Sequence, residues 1–418
     1  MANQRSGYLA IIGSSAAIFW YGAFIFGFPG VMAPYWKNMF QVGQGALGHI
    51  MFAVLAAVGV TMFLVGRWQE KVGIRAMMTI GAVVCGLDFL MLAFVSNLYM
   101  IYLWAFIMGA GSCFVYVPGL TTVQRWFPAK RGLVTGIFNM MFGSSAAIMT
   151  PVFGYLLAGF GYVPMVTVLA IAALLVGVAG SQFTDMPAGK EAAAPAAARL
   201  SEHPVLDEGR SLTPGRTVRT ASFWFLWTTM ALQGAACISM ITLGTAYGLA
   251  LGFKLESAVV ILTTFNLANG IGRFVGGMLS DVAGRNRVMS LAFFGAAAAY
   301  FTLPHVNTLL ILAILATVIG FAFGTLFSVS APLIVDCFGI LHFGSIFGLV
   351  ATAYGFVSGP IGPSLTGYML DMTAGNYTVV FSYLGIMSLI SAVLIRFVRP
   401  ARAAKTGPVL TGGIRYEP

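Results

Sequence analysis

The sequence predicts an all-α polytopic membrane protein, twelve transmembrane helices in two pseudo-symmetric six-helix bundles. Three observations carry this. The 418 residues are 59% hydrophobic and only 8% charged, where a soluble globular chain carries roughly a quarter charged residues. Apolar runs recur twelve times, and most reach the ~20 residues that a bilayer-spanning helix needs. Glycines and acids of the first half return in the second at a near-constant offset.

In chain order, the first six runs lie near 8–36, 45–66, 74–95, 98–123, 131–158 and 163–183. The first follows a short polar head and is too long for a cleaved signal peptide. From Ala188 to Thr220 the chain turns polar and rich in Ala and Pro, the composition of a linker. Six further runs follow near 221–251, 257–279, 287–304, 307–334, 343–369 and 377–398, of which 287–304 is marginal in length. The expected division is therefore 1–183 for the first bundle, 184–220 for a cytoplasmic linker, 221–398 for the second bundle and 399–418 for a cytoplasmic tail.

A net charge of +10 could suggest a polyanionic partner, but its placement argues against nucleic acid. With a cytoplasmic N-terminus, 19 of the 22 basic residues fall in cytoplasmic segments; Lys37 and Lys254 lie outside, and Arg273 falls inside a span. This is the positive-inside distribution, and it puts both termini in the cytoplasm. The four cysteines show no CxxC spacing and read as packing residues. The histidines form no cluster, so no metal site is expected. Neither a nucleotide motif nor a cofactor signature is present, which leaves a gradient rather than ATP as the energy source.

The internal repeat is specific. Gly66, Glu70 and Gly73 recur 211 positions later as Gly277, Asp281 and Gly284, while Gly132, Gly136, Gly143 and Pro151 recur 212 positions later as Gly344, Gly348, Gly355 and Pro363. In the two short turns, glycines let helices approach and an acid can pair with nearby Arg75 or Arg285. These residues are candidates for a conformational latch.

The pattern G-x-x-x-[DE]-x-x-G, present twice, resembles the signature loop of the major facilitator superfamily; the first copy departs from it in carrying Glu70 for the usual Asp. Arg125-Trp-Phe-Pro-Ala-Lys-Arg131-Gly-Leu-Val-Thr-Gly136 and Arg219-Thr-Ala-Ser-Phe-Trp224-Phe-Leu-Trp227 are similar to stretches of the oxalate:formate antiporters. The relatedness extends to the monocarboxylate porters and covers nearly the whole chain outside linker and tail. It implies a transporter that alternates access to a site between its halves.

The eighth run holds the most informative residue. Asn266, Asn269, Gly270, Arg273 and Gly277 share one helical face. A guanidinium cannot shed its charge, and at bilayer depth it costs at least a few kcal/mol. No acid lies within two turns on this helix, so an anionic ligand is its natural counter-ion. The resemblance implies the same, since the oxalate:formate antiporters carry an essential arginine at the matching position. Their second cation, a lysine in helix 11, is replaced here by Tyr354, so one carboxylate suits the site better than two. Animal monocarboxylate porters carry an Asp where this chain has Asn269, and a helix-1 lysine where Phe28-Pro29-Gly30 has glycine; both departures put their proton mechanism in doubt here. By analogy the remaining substrate contacts come from Tyr116, from Phe142 (the 212-offset mate of Tyr354), and from Asn139, Phe323, Phe327 and Phe28. Asp88, deep in the third run, is the candidate for proton coupling, with a structural acid as the alternative.

The expectation is a secondary active transporter, not an enzyme, carrying a lactate- or pyruvate-like monocarboxylate by proton symport. It would be monomeric in a prokaryotic cell membrane. The alternative is an organic-anion exchanger of the oxalate:formate kind. A substrate-sensing receptor is the alternative from another class.

Overall fold

The computed structural model describes residues 2–127, 131–184, 211–339 and 342–399. Among these the regular structure is entirely helical, and twelve helices are long and apolar enough to cross a membrane. A helix is the economical solution in hydrocarbon because it satisfies its backbone polar groups internally.

The first helix, α1, runs Ala2–Gly22, loosens into a π turn at Ala23–Gly27 and continues as Phe28–Phe40. There follow α2 (Gln44–Val72), α3 (Ile74–Met91), α4 (Leu98–Trp126), α5 (Arg131–Phe160) and α6 (Tyr162–Gln182). The second half holds α7 (Ala221–Ala250), α8 (Leu255–Ala283), α9 (Arg285–Thr302) and α10 (Leu309–Phe338). The run of marginal length is thus a full helix, extended by a 3₁₀ turn, Leu303–His305. Then α11 starts as Phe343–Thr352, passes through π turns at Ala353–Ser358 and Pro360–Ser364, and ends as Leu365–Met372. Pro360 and Pro363 account for the irregularity, since neither can donate a backbone hydrogen bond. Last comes α12 (Tyr377–Leu394). Residues 185–210 of the expected linker and 400–418 of the expected tail lie outside the described residues.

The repeat is visible in the backbone. Gly73 after α2 and Gly284 after α8 adopt φ of +91° and +90°, a conformation that side-chain-bearing residues rarely take. Arg285 pairs with Asp281 at 3.1 Å and also with Asp336 at the end of α10, a partner the sequence did not suggest. In the first copy, the surroundings of Gly66 and the side chain of Glu70 lie outside what the structure describes.

Two helix pairs that cross between the halves are related by the repeat. Along α5 and α8, a Cβ on Gly143 would stand 3.0 Å from the Gly270 Cα. Along α2 and α11, a Cβ on Gly355 would stand 3.3 Å from the Gly59 Cα. Gly59 and Gly270 are 211 positions apart and Gly143 and Gly355 are 212 apart, so the two crossings are exchanged by the repeat. At the end opposite the termini, α2 and α11 stay in close contact through Gly48, Phe52, Gly359 and Pro363.

Candidate functional site

The site is built outward from α8. Its polar face turns inward, with Asn266 and Asn269 fully buried and Arg273 6% exposed, while Leu267 and Ile271 on the opposite side are exposed to the surroundings. Close packing on α10 fixes this rotation. Gly272 and Gly276 of α8 meet Phe321 and Thr325, and Gly320 and Gly324 of α10 press on the α8 backbone at Phe265 and from Asn269 to Arg273. Small residues four apart on both helices permit that approach.

Three aromatic rings surround the guanidinium. Phe327 of α10 lies 5.1 Å from it, Phe142 of α5 5.4 Å and Phe26 of α1 5.9 Å. A cation over a ring face is attracted by the ring quadrupole, more so where water is excluded. Tyr116 of α4 and Tyr354 of α11 also lie within electrostatic reach of Arg273. The rings form a continuous set across both halves. Phe26 meets Phe142 and Phe323, Tyr116 meets Phe142, and Phe327 meets Phe323 and Tyr354.

The polar groups are fewer. Arg273 Nε donates to Asn269 Oδ1 at 3.4 Å, a long bond, and the Asn269 amide nitrogen is buried without a partner. The Tyr116 hydroxyl donates to Asn139 Oδ1 at 2.7 Å. Among the described residues no carboxylate pairs with Arg273, and it is the one buried basic side chain. A buried permanent charge without a protein counter-ion is costly. Aromatic faces offset part of that cost, and a bidentate anion would offset far more.

The structure thus gathers Arg273, Asn269, Tyr354, Tyr116, Phe142, Asn139, Phe327 and Phe323 into one cluster. It does not bring Phe28 there. That ring packs inside the first half, against Trp36, Phe89, Trp104 and Phe153. Phe26, absent from the sequence-based set, faces Arg273 instead. The two residues point to different sides of α1 because they are two apart on a helix, and the π turn sets which side faces the other half. No polar or charged residue nearby marks Phe26 in the sequence.

Asp88 stands apart from this cluster. It is buried in α3 near Tyr21 and Cys85, and neither carboxyl oxygen has a hydrogen-bond partner. The four cysteines are buried as free thiols.

Comparison with known proteins agrees with this architecture. The chain matches the model of the Major Facilitator Superfamily over residues 12–264 and 255–412. It is similar to the oxalate:formate antiporter of Oxalobacter formigenes, 27% identical over 348 residues that span 81% of this chain and 79% of that protein. It is also similar to monocarboxylate transporter 14 of Homo sapiens, 22% identical across 89% of this chain and 86% of the relative. Among solved structures, a bacterial homolog of the human lysosomal transporter Spinster shares the fold with a TM-score of 0.69 at 12% identity. The match covers 94% of this chain and 95% of that one.

Proposed function

This chain belongs to the Major Facilitator Superfamily, and on that premise we propose that it is a secondary transporter of small monocarboxylates, with Arg273 binding the carboxylate. One observation carries the reading: a buried guanidinium, ringed by aromatic side chains of both halves, that pairs with no protein carboxylate among the described residues. A carboxylate in that position would take the bidentate geometry for which a guanidinium is shaped. The aromatic ring set would exclude water and strengthen the pair. Asn269 would orient the guanidinium, Tyr116, Asn139 and Tyr354 would offer polar contacts, and Phe26, Phe142, Phe323 and Phe327 would set the size of the acid.

The single cation favours one carboxylate over two. A dicarboxylate held here would leave its second charge uncompensated, and Tyr354 supplies no positive charge. The names of the relatives, an oxalate:formate antiporter and a monocarboxylate transporter, fit a carboxylate anion in either case. Proton symport makes the cargo neutral and allows accumulation without ATP, with Asp88 as the candidate carrier. The distribution of basic residues supports cytoplasmic termini, and hence an external face at the opposite end. The turns containing Glu70 and Asp281 would latch one state of a two-bundle rocking cycle.

Counterflow of labelled lactate, formate and oxalate into proteoliposomes tests the reading. Lactate or formate should exchange well and oxalate poorly. Preference for oxalate would favour an exchanger of the oxalate:formate kind, and no counterflow of any of the three would overturn the proposal.

A further inference from the structure

The start of α2 is capped by the other half of the molecule. Its own N-cap residue, Gly43, has no side chain to offer the first amides of the helix, which lack partners within the helix. Asp371, at the end of α11, fills the role. Its carboxylate accepts from the Gln44 amide at 2.8 Å and from the Gly45 amide at 2.8 Å, across 327 and 326 positions of sequence. The negative charge sits at the positive end of the α2 dipole, which strengthens both bonds. The local sequence makes room for it: a Cβ on Gly43 would overlap the Asp371 carboxylate, and one on Gly45 would overlap the Tyr368 ring.

The same pairing continues inward. One turn along α2, His49 bonds the hydroxyls of Tyr368 and Ser364, both of α11, at 2.9 Å. Below it Gly48 rests against the Pro363 carbonyl. Polar groups of α2 therefore find their partners here on α11. Alternating access requires the two halves to separate at this end once per cycle, and every one of these bonds must then break. The start of α2 has no substitute cap of its own when they do.

We propose that Asp371 is a gate latch, a cap supplied in trans that holds the halves together at the end opposite the termini. A pocket of about 320 Å³ lined by Lys37, Gln44, Asp371 and Tyr377 brings solvent up to the carboxylate, so the latch can exchange its partners for water. Losing a helix cap shifts a folding equilibrium by roughly five- to tenfold, and the closed-to-open equilibrium should move by a similar factor. The inference requires two moving halves and no particular substrate.

The test uses Ser364→Cys, a buried position of the seam about two turns inward of Asp371. Labelling of the introduced thiol by a water-soluble maleimide is compared in the parent, Asp371→Asn and Asp371→Ala backgrounds, in nanodiscs without substrate. Amide exchange of the segment around Gln44 and Gly45 is followed alongside. Labelling should be slow in the parent and several-fold faster with Ala. Asn, which keeps a neutral acceptor, should fall between. Fast amide exchange at 44–45 with unchanged labelling of the introduced thiol would mean a frayed helix end and no gate, and would overturn the latch. So would unchanged labelling in both variants. If the Ala variant fails to fold, the Asn variant against the parent decides.

Discussion

The side-chain amide of Asn266 donates to the backbone carbonyl of Phe26 at 3.2 Å, joining α8 of one half to α1 of the other next to the aromatic cluster. The carbonyl belongs to the π turn of α1, and both groups are buried. Asn266→Leu should remove that bond between the halves, at a cost of about 0.5–1.5 kcal/mol, and let Phe26 drift from Arg273. Substrate counterflow should fall about tenfold with expression retained. Wild-type counterflow in this variant would show that the bond between helices is dispensable.

Gly143 should tolerate no larger residue. A Cβ there would stand 3.1 Å from Arg273 Nε as well as 3.0 Å from Gly270. Overpacking of this kind costs about 1–3 kcal/mol. Gly143→Ala should slow transport several-fold and Gly143→Leu abolish it. The check is counterflow normalised to the folded protein recovered by size-exclusion chromatography.

Arg273→Lys should impair transport nearly as much as Arg273→Ala, because an ammonium is a point charge and cannot form the planar fork. Loss of a charge-assisted pair of about 2–3 kcal/mol corresponds to at least a thirtyfold loss of apparent affinity, read by competition with labelled lactate. Near-normal uptake by the Ala variant would remove the anchor role.

Tyr354→Lys would place a second cation against Phe327 and within reach of Arg273. Oxalate should then gain on lactate by tenfold or more in competition assays. A ratio that stays put would sink the inference from charge count to monocarboxylate.

Energy coupling is tested with empty liposomes and an imposed inward proton gradient. Net uptake should follow the gradient, and exchange should be faster than net flux because returning an empty Arg273 site is costly. Asp88→Asn keeps the shape of the side chain and removes its ionisation. If Asp88 carries the proton, this variant should keep exchange and lose gradient-driven uptake. Uptake that needs internal substrate and ignores pH would make the carrier an obligate exchanger.

The membrane class and the repeat were legible because both are written in local composition and in spacing. Arg273 was legible because a lone charge in an apolar run has few uses. What escaped depends on contacts between distant segments. Phe26 rather than Phe28 faces the guanidinium through the register of a π turn, which no periodicity announces. Asp371 reads as an ordinary acid at a helix end until α11 is laid beside α2. Asp336 likewise joins Arg285 only through the packing of α10 near the end of α8.

The two glycine crossings, Gly143 on Gly270 and Gly59 on Gly355, also constrain how the molecule can be altered. The two crossings related by the repeat mark a line between the bundles, and a turn about that line would preserve both while the helix ends swing. Arg273, one turn from Gly270, lies close to this axle and would travel little. A carboxylate bound at Arg273, as proposed above, would then stay almost still while the openings on either side of it trade places. Thickening one crossing without its mate would tilt the axle, so enlarging substitutions at Gly143 or Gly355 should be felt at both mouths of the protein.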